Sequence, residues 1–258
     1  MSGRLEGKVA IVTGAGQGIG AATALAFARQ GATVVIVDKN EQTAQQTARR
    51  IEEFGTGVLA VTTDVTRPTA LEAMAAAALA QFGRIDILVA NAGANVFSDP
   101  LQLADEDWHR CFAVDLDGVW FSIRAVLPTM RRQMAGSVIV MASCHSSQII
   151  PGCFPYPVAK HGVLGLVRAL GVQYAAEGIR VNAIAPGYIE TELAEQYWAT
   201  FLNPAAERQR ISDLHPCRRI GRPEEVAMTA VFLASDEAPF INAAVLQIDG
   251  GRSAVYHD

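Results

Sequence analysis

The run Thr13-Gly14-Ala15-Gly16-Gln17-Gly18-Ile19-Gly20 follows a short apolar, β-branched stretch and opens directly into an alanine-rich one. Glycines at this point let the chain turn sharply from a strand into a helix. They also let a ligand's phosphate approach the helix N-terminus, where free N–H groups and the helix dipole favour an anion. The spacing is G-x-x-x-G-x-G rather than G-x-G-x-x-G, since Ile19 stands where the last glycine of that fingerprint would be. A strand–turn–helix start of this kind is expected to carry a dinucleotide.

The rest of the chain repeats that alternation. Apolar runs at 9–13, 33–38, 58–63, 85–90, 137–141, 180–184 and 245–248 read as strands. Most are continuously apolar, which suits a parallel sheet covered on both faces. Helical patterns fill 19–30, 41–54, 70–81, 106–134, 158–177 and 223–234, with Gly31, Gly55, Gly83 and Gly178 at helix C-termini. The expected fold is one doubly wound α/β domain of Rossmann type over residues 1–258, with a seven-stranded, mostly parallel sheet and helices on both faces. Residues 187–221 break the pattern: Tyr188, Glu190, Tyr197, Trp198, Phe201, Asn203 and His215 suggest short helices forming a substrate lid.

Composition narrows the function classes. The chain of 258 residues is 50% hydrophobic and 18% charged, below the roughly 25% charge of a typical soluble protein. A net charge of −5 argues against a nucleic-acid or anionic-lipid partner. No apolar run approaches the ~18 residues a membrane span requires. Arg4, Glu6 and Lys8 interrupt any leader-like start, so a cytoplasmic setting is expected. Cys111, Cys144, Cys153 and Cys217 form no C-x-x-C pair and read as free thiols; with the histidines scattered, no metal site is expected.

The second strand pattern ends in Asp38, close to the offset of about 20 residues at which an acid hydrogen-bonds the adenosine ribose. A carboxylate there repels a 2′-phosphate and favours NAD over NADP. Lys39 pulls the other way, whereas Gln17 leaves the glycine loop without a basic phosphate partner.

Further along stand Asn91-Ala92-Gly93, Tyr156-x-x-x-Lys160, Asp64-Val65, Ile179-Arg180-Val181-Asn182-Ala183, Pro186-Gly187 with Thr191, and Asp249-Gly250-Gly251. Taken with the glycine loop, in this order and at these intervals, they resemble the short-chain dehydrogenase/reductase family over nearly the whole chain. The resemblance implies a nicotinamide cofactor contacted by Gly14, Gln17, Gly18, Ile19, Gly20, Asp38 and Lys39. It places Asp64 and Val65 on the adenine side and Asn91, Ala92 and Gly93 by the nicotinamide ribose. Pro186, Gly187, Ile189 and Thr191 would hold the carboxamide end. It also implies a homotetramer paired through the helices at 106–134 and 158–178, whose apolar stretches 119–126 and 163–167 suggest burial beyond one subunit.

Moving hydride between an alcohol carbon and NAD needs a base for the hydroxyl proton. A phenol of ordinary pKa ~10 is a poor one unless a nearby cation stabilises its phenolate. Tyr156 and Lys160 are spaced i, i+4 on one helix face, so the ammonium can serve the phenol. By resemblance, Ser143 orients the substrate oxygen, and Lys160 also reaches the nicotinamide ribose. Pro157 restricts the backbone of Tyr156. One departure stands out: the family usually has Asn where this chain has Asp115, and that Asn helps link the lysine to solvent through water. An ionised Asp115 accepts hydrogen bonds but cannot donate, and it favours the charged lysine.

For the substrate, Asn95, His145 and Gln148 offer polar groups beside Ser143 and Tyr156, and Trp198 offers a ring to pack on a sugar face. The segment 197–204 resembles the lid of fucose-type sugar dehydrogenases in the family. The expected activity is therefore NAD-dependent oxidation of a CH–OH group on a small polar substrate, a sugar or polyol. Competing readings are a 3-oxoacyl thioester reductase, a hydroxysteroid-type dehydrogenase, and an NAD-binding redox sensor without turnover. Asp38 and the acidic net charge oppose the first; the intact Ser143, Tyr156 and Lys160 oppose the last.

Overall fold

The computed structural model describes residues 3–255. Seven strands form one parallel sheet: β1 (Val9–Thr13), β2 (Thr33–Asp38), β3 (Val58–Thr62), β4 (Ile87–Ala90), β6 (Gly136–Met141), β8 (Ile179–Pro186) and β9 (Val245–Ile248), in the order β3-β2-β1-β4-β6-β8-β9. A two-stranded antiparallel pair, β5 (Phe97–Ser98) with β7 (Phe154–Pro155), lies apart from it. The main helices are α1 (Gly18–Arg29), α2 (Glu41–Glu52), α3 (Pro68–Phe82), α4 (Asp105–Phe112), α5 (Gly118–Gln133), α6 (Tyr156–Tyr174) and α9 (Pro223–Ala234), with α7 (Glu192–Trp198) and α8 (Pro204–Asp213) between β8 and α9. This is the doubly wound Rossmann-type fold.

Two buried clusters, one on each face of the sheet, explain the continuous apolar strands. Ile11, Val35 and Val37 point to one side with residues of α3, α5 and α6; Ala10, Val12, Val34 and Ile36 point to the other with α1 and α9. The sheet reverses winding at β1, which pairs with β2 on one side and β4 on the other. A crevice forms at the carboxyl ends of the strands at such a switch point. Gly31, Gly55, Gly83 and Gly178 all adopt positive φ after their helices, as C-terminal caps require.

Three expectations need correction. The 85–90 strand starts at Ile87, because Asp86 is diverted: its carboxylate accepts from the Val9 N–H at 2.9 Å and pairs with Arg84. The single helix over 106–134 is instead α4, a π-helical segment Ala113–Asp117, and α5. The wider turn shifts the helical register and carries Asp115 inward, an arrangement common at functional sites. Finally, Val119, Ile123, Val126, Val163, Leu164 and Val167 are buried in this chain's own core against the sheet, so those stretches do not by themselves imply a subunit interface. The terminal Tyr256, His257 and Asp258 lie outside the described residues. No described helix is long and apolar enough to cross a membrane.

Candidate active site

Each contributing segment leaves the end of a strand. Thr13 closes β1, and its hydroxyl accepts from the N–H groups of Asn91 and Ala92 at 3.0 and 3.1 Å. The Asn91 amide returns to the carbonyls of Thr13 and Gly14 at 2.9 and 3.1 Å. Asn91 therefore fastens the turn after β4 to the glycine loop after β1. Gly14 and Gly18 hold φ of 63° and 55°, the left-handed region that glycine favours. A Cβ at Gly20 would lie 2.1 Å from the Gly14 carbonyl oxygen, so the bare backbone there lets α1 sit close under the loop. Asp38 braces the same loop: its Oδ2 accepts from the Gly16 N–H at 2.9 Å and its Oδ1 from the Asn40 N–H at 3.0 Å.

These turns surround a cavity of about 1090 Å³, ample for a dinucleotide and a small substrate. Of the residues expected to meet the cofactor, Gly14, Gln17, Gly18, Ile19, Asp38, Lys39, Asp64, Val65, Asn91, Ala92, Gly93, Pro186, Gly187, Ile189 and Thr191 all border it. Gly20 does not; its part is the close helix–loop contact just described. Burial pushes the Asp64 carboxyl upward, but hydrogen bonds from the Thr66 N–H and hydroxyl and the charges of Arg67 and Lys39 hold it below the usual range.

Ser143, Tyr156 and Lys160 meet at the other end. Ser143 follows β6, with its hydroxyl accepting from the His145 N–H at 3.2 Å and its own N–H donating to Ser146 Oγ at 3.2 Å. Tyr156 opens α6; Pro157 falls in the first helical turn, where its missing N–H costs nothing. The phenol ring meets Phe97 and His145 edge-on at 5.6 and 5.7 Å. Lys160 Nζ lies 5.3 Å from that ring's centre, donates to the Met141 carbonyl at 3.2 Å and faces Asp115 Oδ1 at 3.3 Å.

The Lys160–Asp115 pair is nearly inaccessible, at 3% and 0% exposure. Asp115 also accepts from the Ala94 N–H at 3.2 Å. Burial pushes the Asp115 carboxyl up, against the pull of Lys160 and Ala94. Burial lowers Lys160, but Tyr156 and Asp115 outweigh it and hold the ammonium above its usual range. Burial raises the Tyr156 phenol; Lys160 and a hydrogen bond with Ser143 oppose the rise, while Asp115 adds to it.

Of the expected substrate residues, Asn95 and His145 border the cavity. His145 is buried rather than solvated. Gln148 is not a lining residue: it is exposed and donates to the Ser253 carbonyl at 2.7 Å. Trp198 borders the cavity but is only 2% exposed, packed with Ile211 and Ile220 and under Arg208, so its faces seal α7 to α8 instead of stacking on a ligand. The aromatic wall is built by Phe97, which sequence reasoning missed, and by Tyr197 and Tyr188, expected only in the lid; Phe97 and Tyr197 meet edge-on at 5.8 Å. Glu207 and Arg210, bonded at 2.6 and 2.8 Å, complete that side. Phe97 sits in a two-residue strand, too short for any periodicity to reveal.

A family model described as enoyl-(acyl carrier protein) reductase matches residues 14–253. The chain belongs to the short-chain dehydrogenase/reductase family. As a member of it, the protein is an oxidoreductase that acts on alcohols or ketones with a nicotinamide cofactor. It is 42% identical, over 96% of its length and 97% of the relative's, to cis-4-hydroxycyclohexanecarboxylate dehydrogenase of Sinomonas cyclohexanicum. The crystal structure of levodione reductase superposes with a TM-score of 0.94 at 35% identity, covering 98% of this chain and 100% of that one. A gluconate 5-dehydrogenase from Burkholderia cenocepacia, in complex with NADP and tartrate, matches with a TM-score of 0.92 at 34% identity over 98% of each chain.

Proposed function

We propose that this enzyme is an NAD-dependent dehydrogenase of small cyclic secondary alcohols. The observation that carries the reading is the convergence of Ser143, Tyr156 and Lys160 on a cavity end walled by Phe97, His145, Tyr188 and Tyr197. Flat aromatic walls suit a compact ring, and the relative from Sinomonas acts on a ring alcohol by its name. A more hydroxylated ring or chain, a sugar or polyol, is the second reading. It is favoured by Asn95 and the Glu207–Arg210 pair on the same wall, and by the likeness to a gluconate dehydrogenase.

The glycine loop fits a dinucleotide: its left-handed glycines and the start of α1 present backbone N–H groups to a phosphate. Asp38 would take the adenosine ribose hydroxyls, Asp64 and Val65 the adenine, Asn91 to Gly93 the nicotinamide ribose, and Pro186 to Thr191 the carboxamide. When bound, the nicotinamide supplies the hydride acceptor. Ser143 orients the substrate oxygen, Lys160 stabilises the phenolate form of Tyr156, and that phenolate takes the hydroxyl proton to become the neutral phenol. Asp115 keeps Lys160 charged.

Absorbance at 340 nm over a panel of ring alcohols, polyols, aldoses, steroids and open-chain alcohols tests the reading. Ring alcohols are expected to give the highest kcat/KM; a tenfold advantage for aldoses or polyols would establish the second reading instead. For the cofactor, Asp38→Ala is expected to cut kcat/KM for NAD at least tenfold and to raise it for NADP, since Lys39 then faces a 2′-phosphate without the carboxylate. Equal use of both cofactors by the unmutated enzyme would defeat the NAD assignment.

The assembly we propose is a homotetramer through the outer faces of α5 and α6; on α6, Val158 and Val172 remain exposed. Light scattering at micromolar concentration is expected to give four times the 27.5 kDa chain mass.

A further inference from the structure

We propose that Arg252, in the turn after the last strand, holds His145 as a neutral imidazole with its proton on Nε2, and that this N–H receives a second, hydrogen-bond-accepting oxygen on the substrate. The proposal rests on the dehydrogenase reading above and extends it to substrate class: a ring alcohol bearing a carbonyl, ether or carboxylate oxygen away from the reacting carbon.

His145 stands where such a group would be read. It is 8% exposed, borders the cavity, and lies edge-on to the Tyr156 phenol at 5.7 Å and 6.5 Å from the Phe97 ring. Its backbone N–H bonds the Ser143 hydroxyl, so the residue is tied to the side chain proposed to orient the reacting oxygen. Among the described residues its Nδ1 is buried without a hydrogen-bond partner. Such an atom is a demand on the surroundings, because a buried polar group left unpaired costs its full desolvation.

The complementary demand comes from Arg252. Its guanidinium stacks over Tyr188 at 4.8 Å, and one terminal nitrogen is likewise buried without a partner among the described residues. The two turns are tied together: Gln148 donates to the Ser253 carbonyl at 2.7 Å, and Gln247 donates to Ser147 Oγ at 3.3 Å. The nearby carboxylate of Asp249 is engaged by the N–H groups of Gly251 and Ser253 at 3.0 and 2.8 Å. A donor without an acceptor and an acceptor without a donor thus stand on two turns that are tied together. A hydrogen bond from Arg252 to Nδ1 satisfies both and leaves the imidazole proton on Nε2.

Electrostatics agree. Burial first, then the charges of Arg252 and His161, lower His145 from its usual range to about 4. It is therefore uncharged at any ordinary working pH, and Tyr156 and Cys144 beside it carry no charge that would restore the proton. A fixed neutral donor discriminates strongly, since a substrate lacking the matching acceptor leaves a buried N–H unpaired. The expected Gln148 role in substrate binding is replaced here by a supporting one, in that its amide bonds the turn that carries Arg252 to the turn that carries His145.

The test has two arms. Nitrogen-15 NMR of the full chain, with the His145 signals assigned through His145→Gln, is expected to show a neutral Nε2–H imidazole from pH 6 to 8. Arg252→Met should mix the tautomers and raise the titration point, while Arg252→Lys, which keeps a donor, should retain the wild-type signature. A proton on Nδ1 in the unmutated protein, or a signature indifferent to Arg252→Met, overturns the proposal. In the second arm, kcat/KM for 4-hydroxycyclohexanone and cyclohexanol is compared. His145→Leu should reduce the preference for the former about tenfold, mainly through KM, and His145→Gln should preserve most of it. An equal loss on both substrates assigns His145 a wall role only. The NMR arm needs no turnover, so the absence of oxidation with every alcohol would defeat the dehydrogenase reading without touching the tautomer result.

Discussion

Replacing Tyr156 by Phe is expected to lower kcat for alcohol oxidation by roughly 10²–10⁴, the usual contribution of a positioned general base, while cofactor binding and folding persist. The reason is local. The ring fits between Phe97 and His145 through edge contacts at 5.6 and 5.7 Å, which a phenyl group retains. Only the hydroxyl, its interaction with Ser143 and its coupling to Lys160 are lost. The pH dependence follows from the direction of the shift. Burial holds the phenol above its ordinary pKa, so it gives up its proton only in alkaline solution and oxidation should accelerate as pH rises from 7 towards 10. Carbonyl reduction, which needs the protonated phenol, should hold steady over that range. NADH fluorescence titration of Tyr156→Phe should give an unchanged Kd; a variant retaining more than a tenth of wild-type kcat would remove Tyr156 from the proton transfer.

Most strand positions, α9, the glycine caps and the meeting of Asp38 with the glycine loop were legible because each rests on a local rule. Continuous apolar runs mark strands buried on both faces, and a carboxylate at the end of β2 lies beside the glycine loop in any fold of this winding. What escaped depends on contacts distant in sequence or on departures from periodicity. The π turn at Ala113–Asp117 adds a residue to a helix that an i, i+4 pattern counts as continuous. Residue type and place along the chain point both Trp198 and Gln148 at the substrate. Whether an indole faces a cavity or fills the gap between two helices depends on Ile211 and Ile220, a helix away. Gln148 likewise has its partner at Ser253, on the far side of β9. The apolar runs of α5 and α6 were over-read for a related reason, since a helix against the sheet is as apolar as one between subunits.

Asp115→Leu is expected to be the most destabilising of the changes considered. Removing one partner of a buried ion pair typically costs about 3–5 kcal/mol, because the remaining charge keeps its desolvation penalty. Here Lys160, 3% exposed, would be left with the Met141 carbonyl and the Tyr156 ring, and the Ala94 N–H would lose its acceptor. For a chain of this size that corresponds to a fall of roughly 10 °C in Tm, measurable by calorimetry. Asp115→Asn separates charge from shape. Its amide oxygen can still accept from Ala94, so the Tm should fall much less. Removing the anion also removes one of the influences raising the phenol of Tyr156. The alkaline rise of oxidation should therefore move to lower pH. The same substitution weakens what holds Lys160 above its ordinary range. A raised lysine contributes stability that is complete below its unfolded pKa of about 10.5 and is lost as pH climbs through the folded value. Alkaline unfolding should accordingly begin at lower pH in Asp115→Asn than in the unmutated enzyme. A profile and an alkaline melting curve both unchanged would show that Asp115 carries no charge in the working enzyme.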